Sequence, residues 1–94
     1  MKDTELKIAE PKLIEFSDRV IKLLEDFDDP NEVKILMKVA SLKRSMVLAT
    51  GVPQSEKAVN KQWNEFYEQD IKYSSRRVVG GTILIAGIAD ELGL

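Results

Sequence analysis

The chain contains no cysteine and no histidine. Without thiols there is no disulfide framework, which a small secreted domain usually needs, so a reducing, cytoplasmic setting is expected. Without imidazole or thiolate, the common zinc ligands, the cysteine nucleophile and the near-neutral proton shuttle are all closed. Proline and glycine are scarce, 3 and 5 in 94 residues, so breaks between elements are few. A long hydrophobic run is missing as well. The longest apolar stretch, Val78 to Ala89, is interrupted by Gly80, Gly81 and Thr82, whereas a spanning helix needs about 20 apolar residues. The opening Met1-Lys2-Asp3-Thr4-Glu5 is charged and has no apolar signal core. No membrane segment is expected.

What is present is globular in balance, 44% hydrophobic and 32% charged, and rich in Lys, Glu, Leu, Ala and Ile. Those residues favour helix. The expected fold is all-α, one domain over residues 1–94, a bundle of three to four helices preceded by a loose lead-in at 1–9. Charge is unevenly spread. Residues 1–32 carry ten acidic and five basic side chains, residues 33–63 one acidic and six basic. The positive middle third is an ordinary solvated surface or a face for an acidic partner or nucleic acid.

The first helix is expected from Pro11, which suits the first helical position, to Phe27. Its apolar positions Leu13, Ile14, Phe16, Val20, Ile21, Leu23, Leu24 and Phe27 span one half of the cylinder, and all eight are expected in the core. Asp29-Pro30-Asn31-Glu32 then reads as a helix start, with Asp29 as cap and Glu32 closing a capping box. The second helix runs from Pro30 to Thr50, where Gly51 and Pro53 end it. Its wheel has two apolar stripes. One holds Val33, Leu36, Met37, Ala40, Val47 and Leu48, with Arg44 inside it; the other holds Ile35, Val39, Leu42, Met46 and Ala49. A helix apolar on two sides is central to its domain or lies at an interface. The third helix is expected from a Ser55 cap to Val79, ending at Gly80-Gly81, and a short fourth helix from Thr82 to Leu92.

No catalytic or metal constellation emerges. The carboxylates of Asp26 to Glu32 match a calcium loop at its first and third positions only, and helix capping explains them. Glu65, Glu68 and Asp70 lack any partner that separates them from a charged helix surface. Arg76, Arg77 and the apolar run after them could lie on a membrane surface, but packing within the bundle is expected.

Thr50-Gly51-Val52-Pro53-Gln54-Ser55 resembles the turn of the helix-turn-helix in phage-type repressors, over six residues. The resemblance implies that Gln54 and Ser55 meet base edges and that Lys57 and Lys61, with Lys43 and Arg44 nearby, meet phosphates. Val47 stands where the motif has a small residue, and Lys57 where it has an apolar one.

The expectation is therefore a small, oligomeric, non-enzymatic regulator or adaptor of the kind mobile elements encode. Its second helix is central, and it needs no cofactor and no small-molecule substrate. Its partner is a second copy or a larger protein, docking on Ile35, Val39, Leu42 and Met46. The alternative is a DNA-binding regulator using residues 40–62.

Overall fold

The computed structural model describes the backbone of residues 3–94 and the side chains of residues 10–94. Among these residues four α-helices follow one another: α1 (Asp3–Leu24), α2 (Pro30–Ala49), α3 (Pro53–Phe66) and α4 (Arg76–Glu91). A five-residue π-helical turn, Tyr67–Ile71, extends α3. Among the described residues there is no strand.

α1 begins eight residues before Pro11, not at it, and the loose lead-in expected at 1–9 is helical from Asp3 onward. Proline inside a helix forfeits one backbone hydrogen bond. Here the strong helix formers on both sides outweigh that cost, and the ring lies exposed. The helix closes at Leu24 because the next three amides turn back by one residue fewer, Glu25 to Lys22, Asp26 to Leu23 and Phe27 to Leu24.

The start of α2 is built as its residues require. Asp29 is extended, and its carboxylate accepts from the Asn31 N–H at 2.8 Å. The other half of the expected capping box is absent. Glu32 instead accepts from the Ser75 hydroxyl and pairs with Arg77 Nε at 3.5 Å, tying the start of α2 to the start of α4. The Arg77 guanidinium also donates to the Asp26 carbonyl at 2.8 Å and sits 4.7 Å from the centre of the Phe27 ring.

At the α2–α3 corner Gly51 takes a φ of 85°, the left-handed conformation that glycine adopts without a Cβ penalty. α3 starts at Pro53, three residues earlier than a Ser55 cap would allow. Val52 is the flanking residue and has no capping side chain; the Glu56 carboxylate reaches back to the Gly51 N–H at 2.9 Å instead.

The α3–α4 boundary lies at Ser74-Ser75, not at Gly80-Gly81. The π turn ends at Ile71, the Ser74 hydroxyl bonds to the Asp70 carbonyl, and the Ser75 side chain accepts from the Val78 N–H at 3.3 Å as the cap of α4. α4 then runs unbroken through both glycines. Gly81 is buried, and a Cβ on it would come within 2.7 Å of Leu36 Cδ1 and 3.3 Å of Phe27 Cζ. A glycine doublet that reads as a stop is thus partly a packing device, letting α4 approach α2 closely.

α2 is the central helix, packed against α1, α3 and α4, while α4 also rests on α1. The core comprises Phe16 and Val20 of α1, Leu36, Val39 and Leu42 of α2, Phe66 and Ile71 from the third segment, and Val78, Ile85 and Ala89 of α4. The molecule measures 39 × 26 × 18 Å. With helices about 10–12 Å across, it is barely two helices thick in its thinnest direction. Each helix therefore keeps one side toward water.

Candidate functional surfaces

The stripe expected to meet a partner faces inward. Val39 and Leu42 are buried and Ile35 and Met46 half-buried, because α3 and α4 both pack on that side of α2. This corrects the expected interface. A single chain does leave part of α2 uncovered, on one edge of the other stripe, whose Leu36 is buried. Met37 is 58% exposed and Leu48 38%, and Arg44 is exposed between them.

That open edge forms one wall of a groove of about 580 Å3 along α1 and α2. Val20, Ile21 and Leu24 line it from α1, and Val33, Met37 and Ala40 from α2. Ile21 is 61% exposed, and Ile14, two turns earlier on the same face of α1, is 58% exposed. Two charges of opposite sign border the groove, Glu25 just past the end of α1 and Arg44 on α2. This corrects the expectation that all eight apolar residues of α1 lie in the core, since Ile14 and Ile21 stand in water. Among the described residues no helix packs over them.

A second apolar recess, about 200 Å3, lies over α2 between α3 and α4, lined by Val39, Lys43, Met46, Trp63, Thr82 and Ile85 among others. The hydroxyl of Thr82 is engaged with the Val78 carbonyl at 2.8 Å, so it offers the recess no free donor.

The residues of the helix-turn-helix resemblance are divided. Gln54, Ser55, Lys57 and Lys61 are exposed together on α3. Lys43 lies half-buried in the recess between α3 and α4, and Arg44 borders the α1–α2 groove, so neither joins them. The two helices also run side by side. Lys38 of α2, twelve residues before the turn, sits 4.7 Å from the Phe66 ring at the far end of α3. A helix-turn-helix instead splays its helices at about 90–120°. Val59, Trp63 and Phe66 are the residues of α3 turned toward α2, while Lys57, where the motif needs an apolar contact, is exposed.

Among the described residues no polar or charged side chain is buried, and no three carboxylates cluster as metal ligands would. No helix among them is long and apolar enough to cross a membrane. Ion pairs among the described residues include Arg19–Glu91 at 2.6 Å, Lys72–Glu68 at 3.3 Å and Arg77–Glu32. The chain matches no family model, no curated protein and no solved structure.

Proposed function

We propose that this protein is a non-enzymatic regulator or adaptor whose α1–α2 groove receives an amphipathic helix of a larger protein. One observation carries the reading: two antiparallel helices hold Ile21, Met37 and their neighbours in water along a continuous trough. Monomeric soluble proteins seldom expose contiguous apolar surface of this kind without a partner. Grooves between paired helices take an apolar helix face as their usual ligand. Glu25 and Arg44 favour a ligand helix that brings a basic residue beside the first and an acidic residue beside the second.

Affinity capture from lysate with the native chain and with Ile21→Glu and Met37→Glu variants tests this. The expected result is a specific protein retained by the native chain and reduced at least about tenfold by each variant, with helicity by circular dichroism unchanged. A set of captured proteins that both variants retain undiminished would overturn the groove as the binding site.

DNA binding is the second reading, supported by the shared exposure of Gln54, Ser55, Lys57 and Lys61. Side-by-side helices and divided basic residues weigh against it. No retardation of duplex DNA is expected at low salt, where phosphate contacts are strongest. A shift that disappears in the Lys57→Glu, Lys61→Glu double variant would restore the DNA reading.

A further inference from the structure

The outward face of α4 has the composition of an interior. Between Arg77 and Asp90 the exposed or half-exposed positions on that side are Val79, Gly80, Ile83, Leu84 and Gly87, with no charged or hydrogen-bonding side chain. Ile83 is 67% exposed and Leu84 54%. α3 shows how this chain treats a face meant for water: its outer positions are Lys57, Asn60, Lys61 and Asn64. A helix apolar on every side is normally enclosed. α4 is enclosed only on the side facing α1 and α2.

The pattern on that face is a seam. Arg76, Gly80, Ile83, Gly87 and Asp90 follow at spacings of four, three, four and three, the repeat that keeps one line of residues against a partner helix. A Cβ placed on Gly80 or Gly87 meets nothing within 4 Å, so neither glycine is needed for packing inside the chain. The charges stand at opposite ends, positive at Arg76 and negative at Asp90. Among the described residues neither has an ion-pair partner, while Glu91 is held by Arg19 and Arg77 by Glu32.

We infer that α4 pairs with α4 of a second copy, antiparallel, with Ile83 on the two-fold axis. A two-fold interface must be self-complementary, and this face is. Antiparallel pairing sets Arg76 opposite Asp90 of the partner copy twice over. It also sets Val79 opposite Gly87, so that a large side chain faces a position with none. The positive end of each helix dipole then lies beside the negative end of the other. A foreign helix would have no reason to match both ends. An anionic lipid surface would be repelled by Asp90, Glu91 and a chain of net charge −2. This pairing uses a surface apart from the α1–α2 groove and stands whether or not that groove binds a partner. A 16-residue helix is about 24 Å long, so the interface is small and a micromolar dissociation constant is expected.

Sedimentation equilibrium of the full chain across the micromolar range, with circular dichroism of every variant, tests the pairing. The native chain should reach the dimer mass, and Ile83→Glu should stay monomeric. Arg76→Asp and Asp90→Arg should each weaken association about tenfold or more, since like charges then face each other. An equimolar mixture of the two should associate far better than either alone, because each now carries the charge that the other lacks. A structural role for these residues would not produce that rescue. A native chain that is monomeric up to about 100 μM, a dimeric Ile83→Glu, or two charge variants that fail to rescue each other would overturn it. So would a monomer that co-sediments with phosphatidylcholine vesicles, which would assign the face to lipid.

Discussion

Replacing Leu36 by alanine is expected to lower the unfolding free energy by about 2–5 kcal/mol. Leu36 is fully enclosed, on the face of α2 that meets both α1 and α4, with Phe27 and Gly81 beside it. Truncation removes three buried carbons and leaves a void that three helices cannot close together. The loss should be near the upper end of that range if the bundle holds its spacing, and near the lower end if α4 slides inward. Urea denaturation followed by circular dichroism measures it. A midpoint shift worth less than about 1 kcal/mol would mean that α4 does not rest on Leu36. For a domain of this size the expected loss is a large part of the total stability.

Gly81→Val is the second large effect. A Cβ at position 81 comes within 2.7 Å and 2.9 Å of the two Leu36 methyls, and valine adds two further carbons. Overpacking of this kind costs about 1–3 kcal/mol, and valine should lie at the top of that range. The neighbouring Gly80 supplies the control. It is helical and its Cβ position is open, so Gly80→Ala should gain about 0.5–1 kcal/mol in dilute solution through reduced backbone freedom in the unfolded chain. The clash also predicts coupling. In a Leu36→Ala background the space above residue 81 is vacant, and Gly81→Ala should then be neutral or stabilising, although it is destabilising in the native chain. Additive effects of the two substitutions would contradict the close approach of α2 and α4 at this point.

Local signals in the chain proved legible where a residue type has one physical use. Asp29 before Pro30 marks a helix start, and Gly51 marks a helix end, because few other residues serve there. The double apolar stripe of α2 gave its central position for the same reason: one neighbour cannot cover two sides. Which side would stay open was not written in α2 at all. It depends on where α3 and α4 return, and that is set by the Gly51 turn and by the length of α3 up to Ser74. The break at Ser74-Ser75 escaped notice because helical spacing continues from Ile71 to Val78 across it, and serine is a weak marker away from a visible apolar run. Gly80-Gly81 misled in the opposite direction. Glycine as a breaker and glycine as a place of close contact look alike until the Leu36 side chain stands above one of them. Pro11 was ambiguous in a similar way, since the same ring that suits a first turn is tolerated on the exposed side of a longer helix.

The groove and the α4 face share a cause. Four helices, one of them central, shield the inner sides of α1 and α4, and among the described residues no further element lies over their outer sides. In the groove the uncovered surface is concave and bordered by two charges of opposite sign. On α4 it is convex and bordered by opposite charges at its two ends. The first shape suits insertion of a foreign helix, and the second suits pairing with its own copy. The two can be separated by experiment, because Met37→Glu should leave self-association intact and Ile83→Glu should leave capture of a larger protein intact.

The most direct test of the groove is a photo-reactive amino acid placed at Met37, with Asn60 on the wet face of α3 as the comparison site. Irradiation in cells should yield a discrete adduct with another protein from position 37 and none from position 60. No adduct at position 37, or the same adducts from both positions, would contradict a partner seated between α1 and α2.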